Sequence, residues 1–435
     1  MIKLIFFISI LIFESVVIYL VKNNISDEYF YSIVFITINY LLFISFILYK
    51  NRLPIWFFKS IFVIYGLKVL TLIFMYEDIN VYINFFNIWD VGGYHPNAIA
   101  YMSGNGDNVQ FYSKCVALIY VLYGIVMAIP VFFNVIVSLV ADIYFYKLLK
   151  LEFVDSFNVK VFTILFMLLP WRNLQSLFLL REAIPTSLFV ISLYYFLRYF
   201  KTKLFKDLCV SLLLSIFMLA FHAGLIVMPL LILLHVIFYD KRQEKLCLNR
   251  MSVIKGLSFG MGILCVIILF GDVIFYKLLL VLGQDDDVIS MWSQTVMNNA
   301  GSVYLEGLSY NSAVDIIWQS PIRMIYFLFS PMIWNVRGLM DIFALMIDSS
   351  VHIIGIVYIL YNSFIHNYNN KVIKMVFFIY IATALVFGVG TFDSGTAMRH
   401  RAKFTSAILI CVAIVYSGKK FNVGKLPERI SKYDT

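Results

Sequence analysis

The chain has 435 residues, of which 62% are hydrophobic, 18% aromatic and only 14% charged, and its net charge is +9. That balance excludes a disordered chain, a coiled coil and a soluble enzyme, because a soluble fold cannot hide so much apolar surface. It indicates an all-α, polytopic integral membrane protein whose solvent is mostly lipid. The positive charge then reports which side of the bilayer the loops occupy, not an affinity for nucleic acid.

A crossing helix needs about 20 mostly apolar residues. In chain order, spans are expected near residues 2–20, 30–49, 55–76, 130–148, 161–178, 184–199, 208–221, 223–239, 252–270, 340–360, 372–389 and 404–416, about twelve in all. The first carries Glu14 in its interior and has no small-x-small cleavage site, so it is expected to be a span and not a cleaved signal peptide. With the N-terminus in the cytoplasm, Lys50 and Arg52, Lys147 and Lys150, Lys201 to Lys206 and the basic cluster 241–255 all fall inside. The acids collect outside. This agrees with the positive-inside rule and puts both termini in the cytoplasm.

Two external segments, 77–128 and 271–339, are too long to be turns. The first holds a helix-like stretch at 116–127, expected to be interfacial. The second holds one at 322–329, expected to be a half-helix closed by Pro331 and Trp334. There is no internal repeat and no shift in composition, so residues 1–435 form a single expected transmembrane domain. The five cysteines (Cys115, Cys209, Cys247, Cys265 and Cys411) are odd in number and widely spaced, so no disulfide framework or metal motif follows.

The arginines carry the chemical signal. On the inner side lysine outnumbers arginine. On the outer side stand Arg172, Arg181, Arg323, Arg337, Arg399 and Arg401, each at a helix end or in an apolar stretch, where a charge is costly without a partner. Arginine is favoured where a flat, permanently charged fork must hold phosphate or carboxylate with two bonds. One reading is snorkelling and local pairing, as in Arg181 with Glu182 or Arg337 with Asp341. The other is a shared anionic ligand. Pro170-Trp171-Arg172 is followed by Arg181-Glu182-Ala183-Ile184-Pro185, which opens a span, and helix N-termini favour anions. Gly395-Thr396-Ala397-Met398-Arg399-His400-Arg401 precedes the last span. In an extended stretch Arg399 and Arg401 would share a face.

Other candidates are fewer. His222, in Ala220-Phe221-His222-Ala223-Gly224, is either a proton shuttle or a satisfied helix-end histidine. Asp90 opens Asp90-Val91-Gly92-Gly93-Tyr94-His95, where the glycines suggest a turn; it is either a general base on a sugar hydroxyl or an ordinary turn aspartate. Asp285, Asp286 and Asp287 follow Gly283-Gln284 and are expected to be a solvated acidic turn. Glu14 and Asp142 are embedded acids, functional candidates by position, though pairing with a neighbour explains them equally well.

An external Asp-x-x-x-Tyr after the third span, an Arg-Glu opening a span, an Ala-Phe-His, a Ser-Pro-x-x-Trp and a Gly-Thr-Ala-x-Arg-x-Arg before the last span together resemble bacterial oligosaccharide repeat-unit polymerases of the Wzy type, including the EpsG-like proteins. The first two elements are also similar to lipid-dependent glycosyltransferases of the GT-C architecture, which usually carry an acidic pair where Asp90 has no adjacent acid. A flippase of lipid-linked oligosaccharide is a rival of another class, but no pair of similar halves is present.

The resemblance implies an enzyme of the bacterial inner membrane. It transfers a growing glycan from undecaprenyl diphosphate to the non-reducing end of a new lipid-linked repeat unit, with no cofactor and no metal. Its implied partners are undecaprenyl-diphosphate-linked oligosaccharide, membrane lipid and a chain-length regulator protein. Arg172, Arg181, Arg399 and Arg401, with Arg323 and Arg337 behind them, are expected to hold the diphosphate. Asp90, His222 and Glu182 are the expected catalytic groups, and Tyr94, His95 and His400 are expected to contact diphosphate or sugar.

Overall fold

The computed structural model describes residues 28–50, 53–75, 91–106, 109–152, 156–240, 245–246, 286–298, 301–365 and 370–421. The expected spans 2–20 and 252–270, together with Glu14, Asp90, Asp285, Cys247 and Cys265, lie outside these residues. Within them the regular structure is helical, apart from a two-residue antiparallel ribbon pairing Tyr239–Asp240 with Lys245–Leu246 and an isolated bridge between Val303 and Asp393.

In chain order the helices are α1 (Glu28–Lys50), α2 (Ile55–Met75), α3 (Val91–Met102), α4 (Phe111–Tyr123), α5 (Ala128–Leu151), α6 (Ser156–Leu168), α7 (Pro170–Leu177), α8 (Ala183–Thr202), α9 (Phe205–Leu219) and α10 (Val227–Phe238). They continue with α11 (Asp286–Asn298), α12 (Ala313–Phe329), α13 (Leu339–Phe343), α14 (Ser350–Ile365), α15 (Lys371–Val389), α16 (Ser394–Ala402) and α17 (Thr405–Phe421). Among the described residues, five helical stretches are long and apolar enough to cross a membrane: Ile55–Phe74, Ala128–Leu151, Ala183–Thr202, Asp341–Ser363 and Lys371–Val389. Side chains such as Phe62, Leu67, Leu70 and Phe74 stand exposed along α2. Such a run is a liability in water and suits contact with lipid.

Several local expectations are corrected. The span 161–178 does not form as one helix. It breaks at Leu169 (ψ 118°), because Pro170 disfavours helical geometry in the residue before it, and α7 starts afresh with the proline in its first turn. Gly92 and Gly93 do not make a turn but lie in the first turn of α3. The half-helix at 322–329 is the C-terminal half of the 17-residue α12. That helix starts early because Ser312 and Asp315 form a capping box, each side chain accepting from the other's backbone N–H. The acidic run does not remain a turn throughout, since Asp286 and Asp287 open α11. The span 340–360 is helical throughout but contains a π-helical segment, Ala344–Ser349.

The chain divides into two compact units. The first comprises Met1–Ile143, Met167–Phe189 and Ile216–Ala223; the second comprises Tyr144–Phe166, Val190–Ser215 and Gly224–Thr435. In the first, Phe35 of α1 packs against Tyr123 and Phe132, with ring centroids 4.9 and 6.4 Å away, and Tyr40 donates to the Phe62 carbonyl of α2 at 3.2 Å. In the second, Phe327, Phe387 and Phe404 lie with near-parallel rings and centroids about 6 Å apart, joining α12, α15 and the entry to α17.

Candidate functional site

In the first unit, polar side chains gather around α5. Asn134 Nδ2 lies within hydrogen-bond distance of Tyr112 Oη (2.9 Å) and of the Phe178 and Leu180 carbonyls (3.0 and 2.9 Å). It thereby fixes the loop that delivers Arg181 and Glu182 to the start of α8. Arg181 keeps 25% of its side-chain surface, donates to Gln110 Oε1 at 3.2 Å and stands 3.8 Å from the buried carboxylate of Glu182. The pairing reading of these two neighbours therefore describes the geometry.

Two turns further into α5, Asp142 receives Arg172 at 2.6 Å, with both side chains buried. Arg172 also donates to the Ser138 carbonyl (2.7 Å) and hydroxyl (3.1 Å), and the Tyr65 hydroxyl donates to the second oxygen of Asp142. Lys68, within the expected span 55–76, is 4% exposed. It donates to Ser176 (3.1 Å) and Ser138 (3.4 Å) and lies over the Tyr65 ring. The available signal was a lysine inside an apolar span, three residues from a tyrosine on the same helix.

Tyr94 is buried edge-on to Tyr112, with centroids 5.0 Å apart. His95 Nδ1 lies 2.7 Å from Tyr120 Oη, and burial lowers its pKa from the ordinary histidine value. His222 is half-buried in the turn after α9, where its backbone N–H donates to the Met218 carbonyl. Asp90 lies outside the described residues.

In the second unit, the segment 301–310 binds the turn that leads from α15 into α16. Tyr304 Oη donates to the Thr391 carbonyl (2.9 Å), and Ser302 accepts from the N–H groups of Ser394 and Gly395. Asp393 caps α16 by accepting from the Thr396 N–H at 2.8 Å. Because residues 399 to 401 are helical, Arg399 and Arg401 stand about 200° apart and do not share a face. Arg401 is fully buried. It meets Asp348 of the π-helical segment at 2.5 and 3.1 Å and donates to the Phe327 and Leu328 carbonyls at 2.9 and 2.8 Å. Arg399 is half-buried and donates to Thr396 (3.2 Å), and His400 Nδ1 lies 3.2 Å from Thr391 Oγ1.

Arg323, fully buried on α12, donates to Gln319 (3.0 Å) and to the Leu308 carbonyl, with its guanidinium 4.3 Å from the Tyr310 ring and 4.6 Å from that of Phe392. Arg337 is exposed and donates to the Gly301 carbonyl, while its backbone N–H, not its guanidinium, binds Asp341 at 3.0 Å. The structure thus brings the Ser330-Pro331-x-x-Trp334 element, the Gly395-to-Arg401 element and the 301–310 segment into one unit. Asp348, the partner of Arg401, was missed from sequence, although an acid within an apolar span was the signal to follow.

Cys115 and Cys209 are half-buried thiols and Cys411 is buried; none of the three forms a disulfide. Comparison with known proteins finds no matching family model, no similar curated protein and no similar solved structure.

Proposed function

We propose that this chain is a polymerase of lipid-linked oligosaccharide repeat units, a multi-pass protein of about twelve spans in the bacterial inner membrane with both termini cytoplasmic. The observation that supports this reading most is the division of the outer arginines. Arg172, Arg323 and Arg401 are sunk into the helices, while Arg181, Arg337 and Arg399 keep surface at helix ends. The first three are positioning residues that brace the framework. The second three keep cationic surface within their own units, which is the kind of group that a reaction expelling a diphosphate requires.

In the proposed reaction, the bond between the anomeric carbon of the growing glycan and the diphosphate oxygen breaks. A bond forms from that carbon to a hydroxyl oxygen at the non-reducing end of the incoming unit. Asp90 or His222 takes the hydroxyl proton, and undecaprenyl diphosphate leaves with the electron pair, its charge met by arginine side chains. Glu182 holds Arg181 in position, and Tyr94, His95 and His400 are the proposed contacts to sugar or diphosphate. A chain-length regulator protein is the expected partner.

Deleting the gene and separating the surface glycan on a gel tests the reading. The expected product is lipid core carrying a single repeat unit. An incomplete unit points to a glycosyltransferase, and complete units trapped on the cytoplasmic leaflet point to a flippase; either overturns the proposal. In the complemented strain, Arg181→Ala and Arg399→Ala are expected to cut polymer yield at least tenfold, and normal yield and length in both removes the arginine clamp.

A further inference from the structure

Within the second unit, α5 ends at Leu151 and α6 begins at Ser156, while α8 ends at Thr202 and α9 begins at Phe205. Lys201 joins the two pairs. Its amine reaches Glu152 at 3.3 Å and donates to the Leu151 carbonyl, so these four helix ends lie together.

The turn between α8 and α9 is built without glycine. Lys203 adopts a left-handed φ of 55°, and its N–H donates to the Tyr199 carbonyl at 2.8 Å, which closes α8. Thr202 Oγ1 accepts from the Leu204 N–H at 3.3 Å and lies 3.1 Å from Asp207 Oδ2, which also meets Arg198 at 3.2 Å. The two described acids of this end, Glu152 and Asp207, therefore have buried carboxylates, each already paired with a cation.

The outward side of the turn has the opposite character. Phe205 is 71% exposed and Leu204 43%. Lys203 and Lys206 beside them are exposed, as are Lys150 at the end of α5 and Lys160 in α6. Apolar side chains held outward by a hydrogen-bonded turn are unfavourable in water. Ringed by cations, they complement a surface that is apolar inside and anionic at its rim, which is the boundary of a bilayer containing anionic lipid.

Position along the helices agrees with that partner. The stretches Ala128–Leu151 and Ala183–Thr202 are both long and apolar enough to cross a membrane, and the turn follows the second directly. About two turns back from these ends, Tyr144, Tyr194 and Tyr195 pack together, with centroids 5.3, 6.0 and 5.2 Å apart. Tyrosine collects where hydrocarbon gives way to headgroups. With α8 across a bilayer, the turn stands at headgroup level.

We propose that the α8–α9 turn is a docking surface for the anionic headgroups of membrane lipid. Leu204 and Phe205 insert beside the acyl chains, and Lys203 and Lys206, backed by Lys150 and Lys160, meet lipid phosphate. This needs only that α8 crosses a bilayer and is independent of the polymerase reading. On the topology proposed above, the leaflet is the cytoplasmic one.

The full-length protein in detergent is titrated with dioleoyl-phosphatidylglycerol and with dioleoyl-phosphatidylcholine, and bound lipids are counted by native mass spectrometry. A lysine near an anionic surface is worth about fivefold in affinity. The anionic lipid is expected to bind about tenfold more tightly, and Lys203→Gln/Lys206→Gln, at exposed positions, is expected to bring the two affinities within about twofold. In nanodiscs containing the anionic lipid, a nitroxide at Leu204→Cys in a cysteine-free background is expected to collide more with dissolved oxygen than with a water-soluble nickel chelate. Phe205→Gln is expected to reverse that order. Equal affinities in the unaltered protein, a preference unchanged in the double variant, or a nitroxide that favours the nickel chelate in anionic discs overturns the proposal. The last outcome would leave the turn in water, as a site for a soluble partner. A gene-deletion phenotype of any kind leaves these measurements intact.

Discussion

Asp348 and Arg401 form the most demanding contact in the second unit. Both are buried, and the guanidinium also holds two backbone carbonyls at the end of α12. Removing one partner of a buried pair leaves an uncompensated charge at a cost of about 3–5 kcal/mol, whereas replacing both with apolar residues of similar size is often close to neutral. Asp348→Ala and Arg401→Met are therefore each expected to lower the melting temperature in detergent sharply. The double variant Asp348→Leu/Arg401→Met is expected to recover much of the loss. Additive losses in this cycle would show that the two side chains act separately. Sequence pointed to Arg401 by its setting but could not distinguish an arginine that binds a ligand from one that binds its own fold. That distinction required the partner, which lies 53 residues away in sequence.

At the scale of elements, helix meets helix where a side chain is missing. A Cβ on Gly388 of α15 would meet backbone atoms of Met324 on α12 at 2.8 and 2.9 Å. Backbone cannot rotate aside as a side chain can, so α12 and α15 must separate to admit even a methyl group. Gly388→Ala is expected to destabilise the second unit by about 1–3 kcal/mol, read as a lower melting temperature and faster amide exchange in α12 and α15. Unchanged exchange in both helices would refute the close packing. Gly355 differs in that its added Cβ would meet side-chain atoms, Ile408 Cγ1 at 2.7 Å and Cδ1 at 3.4 Å, and not backbone. The element-level signals in sequence were uneven. Long apolar runs such as α2, α5 and α15 were legible because length and composition decide them. The break at Pro170 and the early start of α12 depended on single residues, Pro170 and the Ser312–Asp315 pair. Asp315, held by the Trp318 indole N–H and by backbone N–H groups, has its carboxyl pKa lowered. Its capping contribution is thus present above the ordinary carboxylate range and is lost only as pH falls through the lowered value.

At the scale of the molecule, the proposed topology assigns each loop a side. In a cysteine-free background, a cysteine at the exposed Lys206 is expected to react with an impermeant maleimide only in inverted vesicles, and one at the exposed Gly307 only in intact spheroplasts. Labelling of both from one side would discard the topology and, with it, an external reaction.

Sequence by itself determined that the chain is mainly helical, with stretches long and apolar enough to cross a membrane: 62% hydrophobic residues in runs near 20 long favour helices, whose backbone polar groups are satisfied within their own segment. It also singled out six arginines as misplaced by the logic of charge. Tertiary structure alone decided which of them are committed inward and which retain surface. It also decided that Ser330 and Asn335 lie at one recess with Arg337. The physical reason is one of range. Hydropathy and helix capping act over a few residues along the chain, whereas ion pairing and orphaned hydrogen bonds depend on what packing brings within about 3 Å.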